Sequence, residues 1–369
     1  MPKIVHITTV HSADDIRIYY KQCISLASAG YDVVLIAPRS QFVEKGLVRI
    51  HYIPLPSNRL TRMTVTAFIA FRAALAERGD IYHIHDPELL PVGQILRLLR
   101  KTVVYDMHEN TPKALLYKEW IPPSLRSYAS LMYRVTEKCL MFGLPVVFAE
   151  RSYERDYPWV SQHVNILNLP LICDLQGIYT KKASVFTLGY LGAVGPGRGT
   201  LVTLEAIRIL RDRGHKIYWD CVGPVQDAHR AEIEALAKRY ELEGIRLHGY
   251  LPPRQGWEIM AHCSAGLAVL QPLPNYVDSV PTKIFEYMAL GIPVLASDFP
   301  IYRDIVETHG VGLCVAPTPE SLADGVEEII RDPKKADLMS LRGRETVVGL
   351  FSWDSEAAKL RDLYRDLTQ

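Results

Sequence analysis

Apolar runs and amphipathic stretches alternate along the whole chain. KIVHITTV (3–10) is a short β-rich run, and IRIYYKQCISLASAG (16–30) places apolar residues at helical spacing up to Gly30. DVVLIAP (32–38) and VRIHYIPLP (48–56) predict strands, and VTAFIAFRAALAERG (65–79) predicts a helix closed by a glycine. IYHIHD (81–86), LLPVGQILRLLRK (89–101) and TVVYDMH (102–108) repeat the strand–helix–strand unit. The periodicity lapses around LNLPLICDLQGIYTKKAS, which predicts a linker over residues 171–184. Alternation then resumes: VFTLGYLG, KIYWDCVGP, IRLHGYL, AGLAVLQP, PVLASD and GVGLCVAP predict strands separated by helical stretches. Such alternation predicts an α/β chain with two doubly wound, Rossmann-like parallel sheets in tandem. Ligands of open α/β sheets sit beyond the carboxyl ends of the strands, so the expected site is a cleft that the two domains face.

Composition narrows the function classes. The 369 residues suffice for two domains with separate cores, and 48% apolar against 22% charged residues is an ordinary globular balance. A net charge of +1 supplies no field to gather nucleic acid, and no nucleic-acid-reading motif is present, so no nucleic-acid partner is expected. Six cysteines without CxxC spacing predict neither zinc site nor disulfide framework, and point to a reducing cytoplasm. The opening MPKIVHITTV does not read as a signal peptide, and no apolar stretch is long enough to span a bilayer.

Two stretches of the second half suit phosphate. GYLGAVGPGRGT sets Gly195, Gly197 and Gly199 between a strand and the helix from Thr200, where backbone N–H groups can approach a ligand. Arg198 adds a forked cation suited to phosphate oxygens. The GxGxxG spacing with its later acidic residue is absent, so no hydride-transfer cofactor is expected. PTKIFEYMALG (281–291) predicts a helix opened by Pro281 and stopped by Gly291. The N–H groups of Thr282 and Lys283 would face outward with the positive helix end, and Lys283 would add a mobile charge. Glu286 could accept two ribose hydroxyls and Asp278 could reach a second polyol. The same residues also read as a capped helix with a surface lysine and a packed glutamate.

In the first half, His83, His85, Asp86 and Glu88 stand at one strand end, and Asp106, His108 and Glu109 at the next. HxHD and HE can belong to metal ligand sets, but no third ligand-rich segment follows, so no metal is expected. Asp86 before PELL reads as a helix N-cap, which leaves His108 as the functional candidate. After the first strand come His11, Asp15 and Arg17, placed for contact with an acceptor; Asp14 or Asp15 reads equally well as an N-cap.

This constellation resembles glycosyltransferase family 4, whose fold is GT-B. The resemblance runs through TTVHSADDIRIYYK, HIHDPELLP, YDMHE, PTKIFEYMALGIPVLASD and FSWDSEAAKLRDLY. It implies an acceptor-binding domain over 1–170, a linker over 171–184, a nucleotide-sugar-binding domain over 185–351, and a helix over 352–369 crossing back to the first domain. Family members carry two acids separated by seven residues. By that pattern Asp278 would contact the transferred sugar and Glu286 the ribose. Arg198 stands where the family usually has lysine and Ala193 where it has arginine, so Lys283 would supply the missing charge at the diphosphate. His108 matches the histidine beside donor sugar and acceptor, with Glu109, His11, Asp15 and Arg17 on the acceptor side.

The implied reaction is retaining transfer of a hexosyl unit from a nucleotide diphosphate sugar, a co-substrate rather than a cofactor, to a hydroxyl. The expected acceptor is a saccharide or lipid-linked oligosaccharide of bacterial surface polysaccharide or glycolipid synthesis. No DxD motif appears, so metal independence is expected. Two alternatives share the cleft: a nucleotide-sugar 2-epimerase, and a catalytically silent scaffold that binds nucleotide sugars. Residues 124–144 read as a domain-covering helix or as a weak contact with an anionic membrane, through Arg126, Arg134 and Lys138 with Leu131, Met132 and Leu140 between them. Up to residue 180 the chain carries 20 Lys and Arg against 16 Asp and Glu, and beyond it 22 against 25. This asymmetry favours the first domain as the face toward the inner side of the cell membrane.

Overall fold

The computed structural model describes residues 2–39, 46–118, 121–175, 177–178 and 182–368. It divides into two compact units, one running to Asn168 and taking in the residues from Trp353, the other spanning Leu169–Ser352. Part of the expected linker (176 and 179–181) lies outside the described residues. The rest is less linker-like than its sequence. Ile172–Leu175 is helical and packs on unit 2, with Leu175 and Ile178 buried.

Unit 1 is a seven-stranded parallel sheet. Its strands are β1 (Lys3–Ile7), β2 (Asp32–Pro38), β3 (Arg49–Ile53), β4 (Ile81–Ile84), β5 (Thr102–Met107), β6 (Val146–Phe148) and β7 (His163–Asn165), in the order β3-β2-β1-β4-β5-β6-β7. The three-residue β6 and β7 carry too little pattern to be predicted. Register pairs His6 with His83, and His83 with Val104. The core joins Val5, Ile7, Val34, Ile36, Tyr82 and Ile84 to the helices Ala67–Glu77 and Leu90–Leu98. Residues 16–30 are not one α-helix: Ile16–Cys23 winds as π-helix before Ile24–Ser28 turns α-helical. Arg17, Ile18, Tyr19, Lys21, Gln22 and Cys23 are all buried there, against β2 and the closing helix Trp353–Thr368. A single amphipathic stripe could not bury so many successive positions. The helix Pro123–Met141 buries only Glu137 and Met141 fully. Leu140 packs partly against the core, not outward as its membrane reading required.

Unit 2 is a six-stranded parallel sheet of β8 (Phe186–Leu191), β9 (Ile217–Val222), β10 (Ile245–Gly249), β11 (Ala265–Ala268), β12 (Val294–Ser297) and β13 (Gly312–Val315), ordered β10-β9-β8-β11-β12-β13. Leu188, Tyr190, Leu204, Trp219, Leu267 and Leu295 anchor its core. In both sheets the chain builds outward to one side and then returns to the other. The reversal falls between β1 and β4 in unit 1 and between β8 and β11 in unit 2. Loops leaving a parallel sheet at such a reversal diverge and open a crevice at the carboxyl ends.

Candidate functional site

At the unit 2 reversal the loop after β8 carries the glycines and the loop after β11 carries Tyr276 and Asp278. Gln271 N donates to Gly197 O at 3.0 Å, tying the two loops together. The predicted donor glycines separate into two kinds. Gly199 is demanded by packing: its φ is +77°, and a Cβ there would collide with the carbonyl oxygen of Val269. Gly195 faces open space, with nothing within 4 Å of where a Cβ would stand. A Cβ on Gly197 would crowd Leu273 and Tyr276 at 3.2 and 3.6 Å. Arg198 is half-buried and lies over the Tyr276 ring, 4.8 Å from its centroid.

The helix predicted from Pro281 runs over Lys283–Leu290, with Thr282 as N-cap residue and Gly291 left-handed at φ +65° as its stop. Burial corrects the reading of Lys283 as a mobile surface charge. It occupies the first turn on the face that packs down, and is 5% exposed. Its ammonium sits 3.7 Å from the centroid of the Tyr190 ring. It lies beside Gly192, where a Cβ would be 3.4 Å from Nζ, and finds no hydrogen-bond partner among the described residues. Burial, with the Arg198 guanidinium nearby, pushes its pKa well below the usual lysine range, while Glu286 pulls the other way. A buried cation without a partner is costly unless something else meets it.

Glu286 is half-buried one turn on and accepts a hydrogen bond from Trp257 Nε1 at 3.0 Å. Trp257, on the helix Pro253–Ala261, was not found from sequence because nothing local links it to Glu286. Asp278 is half-buried at the end of the short helix Pro274–Val277. Ala193, where the resemblance would put an arginine, accepts from Tyr190 Oη at 2.7 Å through its carbonyl.

At the unit 1 reversal the polar strand ends converge on three carboxylates. Asp86 stands at the N-cap position before Pro87, as expected, but its side chain makes no capping bond. Its Oδ2 accepts from Thr9 N at 2.6 Å, Thr8 Oγ1 at 2.9 Å and Val10 N at 3.2 Å, so it pins the loop after β1. Glu88 takes Arg62 Nε at 2.7 Å and Thr9 Oγ1 at 2.8 Å. Asp106, fully buried on β5, accepts from Arg17 Nη2 at 2.8 Å and Nε at 3.2 Å, and from Gln22 Nε2. His108 Nε2 lies 3.0 Å and His85 Nδ1 3.4 Å from its Oδ2. Burial alone would raise the Asp106 pKa, but Arg17 and His108 outweigh it and hold the carboxyl well below the usual range.

Arg17, expected on the acceptor side, is therefore turned inward at 5% exposure, too short of free surface to greet a substrate. Asp15 is the N-cap, accepting from Ile18 N at 2.8 Å. Its Oδ2 also stands 3.3 Å from His11 Nδ1. Burial works against charge on His11, but Asp15, with Asp86 and Glu109, more than compensates and raises its pKa. His11 and His108 lie side by side, 5.3 Å between ring centroids, and Glu109 is exposed next to them. Asp106 is an acceptor, so His108 Nε2 donates to it and the Nδ1 lone pair is left for a substrate while the ring is neutral.

Two groups among the described residues bring metal-binding atoms together: His6, His83 and His85, and His85, Asp106 and His108. The HxHD grouping read from sequence does not form, because Asp86 turns to the β1 loop. In the first group His6 Nδ1 and His85 Nε2 are already bonded to each other at 2.9 Å, and His83 Nδ1 is bonded to the Tyr364 hydroxyl. In the second, Asp106 Oδ2 is already occupied by Arg17 and Gln22. Neither set suits a metal ion as it stands.

Known proteins resemble both units. The Glycosyl transferases group 1 model matches residues 176–346, and the Glycosyl transferase 4-like domain matches residues 20–139. An alpha-D-kanosaminyltransferase from Streptomyces kanamyceticus is 24% identical over 186 residues, 48% of this chain and 45% of that protein. The chain thus matches under half the length of this curated relative. Sucrose-phosphate synthase from Thermosynechococcus elongatus has the same fold, with TM-score 0.78 at 20% identity over 100% of this chain and 99% of that one. Anabaena HepE, solved with UDP and glucose, gives 0.72 at 16% identity over 99% and 100%. With both units matched in order by glycosyltransferase models and the whole chain by this architecture, the protein belongs to the GT-B glycosyltransferases, and family 4 is the member family it fits.

Proposed function

We propose that the protein transfers a hexosyl group, with retention, from a nucleotide diphosphate sugar to a hydroxyl without a metal. The observation that carries this is the buried, unpartnered Lys283 ammonium beneath the Gly192–Gly199 loop, with Arg198 beside it. A diphosphate seated on that loop would give Lys283 its counter-charge and return its pKa upward. Glu286, oriented by Trp257, would take the ribose, and Asp278 the sugar. In the reaction the bond from sugar C1 to the diphosphate oxygen breaks as the acceptor oxygen bonds C1. The acceptor proton passes to the departing phosphate. Cations and N–H groups aimed at the leaving oxygens lower the barrier, and removing one costs about 2–4 kcal/mol. His108, held by Asp106, would orient the reacting hydroxyl.

Incubation with UDP-, GDP-, ADP- and CMP-sugars tests the reading. Transfer or slow hydrolysis that persists in excess EDTA supports it. An isomerised sugar would indicate an epimerase, and binding without turnover a scaffold. Of the acids of HDPE and DMHE that an epimerase would use, Asp86, Glu88 and Asp106 are committed to internal partners and Glu109 is exposed, which weighs against proton removal by a pair of acids.

For the acceptor we propose a lipid-linked saccharide at the inner face of a bacterial membrane. Leu125, Tyr128, Leu131, Met132 and Val135 are exposed on Pro123–Met141. Arg134 and Lys138 lie over Trp159 at 4.9 and 5.2 Å and remain exposed. No helix among the described residues is long and apolar enough to cross a membrane. Each basic residue near an anionic surface contributes about 1 kcal/mol, so weak, salt-sensitive sedimentation with anionic vesicles is expected. Equal, negligible sedimentation with anionic and neutral vesicles at low salt would favour a soluble acceptor.

A further inference from the structure

The glycine-rich loop of unit 2 is tied to the helix behind it through a hydroxyl with a single proton. Thr200, fully buried at the start of the helix Thr200–Asp212, donates from Oγ1 to the Gly195 carbonyl at 3.1 Å. The same Oγ1 lies 2.7 Å from Nε2 of His229. His229 is buried in the first turn of the helix Asp227–Arg239, which follows β9. Its Nδ1 lies 2.8 Å from Oε2 of Glu232 on the same helix. The Gly195 carbonyl also accepts from Arg198 N at 2.9 Å, so the tie bears on the turn Pro196–Arg198 that carries the guanidinium.

Counting protons shows what decides the tie. The Glu232 carboxylate only accepts, so Nδ1 of His229 carries a proton whether the ring is neutral or charged. With the ring neutral, Nε2 holds a lone pair, and the 2.7 Å contact needs the Thr200 proton. The Gly195 carbonyl then loses its hydroxyl donor. With the ring protonated, Nε2 donates to Thr200 Oγ1, and the Thr200 proton goes to Gly195. The two contacts of Thr200 Oγ1 are satisfied together only in that second state. Among the described residues the charged side chain that meets the ring is Glu232; the helix Thr200–Asp212 meets it with the neutral Thr200 hydroxyl. Asp227 is exposed, and Arg230 reaches Glu234. Arg198 and Lys283, the cations of the proposed diphosphate seat, stay in place in every variant of the test.

We infer that His229 is a positioning residue for the donor: the protonated ring directs the Thr200 hydroxyl onto the Gly195 carbonyl and holds the loop, and the neutral ring withdraws it. A loop held before binding loses less freedom on binding, so affinity falls when the tie is released. The inference rests on the proposed diphosphate seat, but its first readout does not. NMR of the full chain follows the His229 titration through the ring nitrogen-15 signals. The Gly195 carbonyl carbon-13 signal should shift with the same midpoint in wild type and in Thr200→Ser, which keeps the hydroxyl. It should stay nearly fixed in Thr200→Val, which lacks the hydroxyl, and in His229→Phe, which keeps a ring without a lone pair. Affinity for UDP, GDP and ADP is then measured on both sides of that midpoint. Above it, nothing in His229→Phe draws the Thr200 proton away from Gly195. That variant should bind the preferred nucleotide about two- to tenfold more tightly than wild type, the size of one net hydrogen bond. A merely structural role predicts a loss instead. Below the midpoint the gain should vanish, and adding His229→Phe to Thr200→Val should bring none at either pH. His229→Leu, which also lacks the lone pair, serves if His229→Phe folds poorly. A Gly195 signal that ignores the His229 titration in wild type, or follows it equally in Thr200→Val, would overturn the inference. So would equal or weaker nucleotide binding by His229→Phe above the midpoint. Expected Gly195 signals with no binding of any of the three nucleotides would leave the tie standing and remove the diphosphate seat instead.

Discussion

The two sheet reversals use buried charge in opposite ways. At the carboxyl end of β5, Asp106 is surrounded by Arg17, Gln22, His85 and His108, so the Asp106 and Arg17 charges meet inside the fold, although Arg17 Nη1 and Gln22 Oε1 find no hydrogen-bond partner among the described residues. At the start of Lys283–Leu290, the buried lysine has an aromatic face, a nearby arginine and no hydrogen-bond partner among the described residues. A charge-paired cluster rigidifies; an uncompensated charge raises the energy of the free protein and lowers it again when an anion arrives. On the proposed function, unit 1 would present one oriented imidazole and unit 2 would seat a diphosphate.

Breaking the charge-paired side should show in stability. Asp106→Ala leaves Arg17 buried without its counter-ion and should cost about 3–5 kcal/mol in urea unfolding followed by unit 1 signals. The carboxyl is held below its unfolded pKa, so its stabilisation is present at neutral pH and fades as pH falls through the lowered value. Wild-type stability should decline on acidification, and Asp106→Ala should show a shallower decline. On the other side, Glu286→Gln is nearly isosteric and keeps an acceptor for Trp257. It should leave the melting temperature almost unchanged while weakening nucleotide binding by about 1.5–3 kcal/mol, the value of a hydrogen bond to a charged group. Unchanged affinity would return Glu286 to a packing role.

A smaller effect sharpens the contrast, because unit 1 holds one imperfectly satisfied acid. Glu137 accepts from Tyr157 Oη at 3.1 Å through Oε2, while Oε1 finds no partner among the described residues. Burial raises its pKa to about 7. The folded state thus binds a proton more tightly than the unfolded one. Stability is greatest below the ordinary glutamate range and falls as pH rises through about 7. Glu137→Gln should raise the stability by about 1–3 kcal/mol at pH 8 and change it little at pH 5, in melts at the two pH values.

The alternation of apolar runs made both sheets legible, since fully buried parallel strands and amphipathic helices differ in period. The chemistry was legible as residue types and not as partners. Asp106 and His108 stand out in YDMHE, but the link to Arg17 depends on strand order, which is not encoded locally. Lys283 was legible as a cation at a helix start; its burial was not, because the face that packs against Tyr190 is set by a strand 93 residues away in sequence. Gly199 and Gly195 look alike in sequence and differ only in what lies opposite them.

The central claim is that the buried Lys283 receives the donor diphosphate, and calorimetric titration of UDP, GDP and ADP in buffers of different ionisation enthalpy tests it most directly. Lys283 begins with a lowered pKa that a bound diphosphate would raise, so binding at pH between the two values must take up a proton, and affinity must weaken as pH rises across that window. The expected result is proton uptake with the preferred nucleotide in the wild type. In Lys283→Met uptake should be lost and affinity reduced at least about tenfold, with no fall in melting temperature. Nucleotide binding with no proton uptake, and of equal strength in Lys283→Met, would contradict the account.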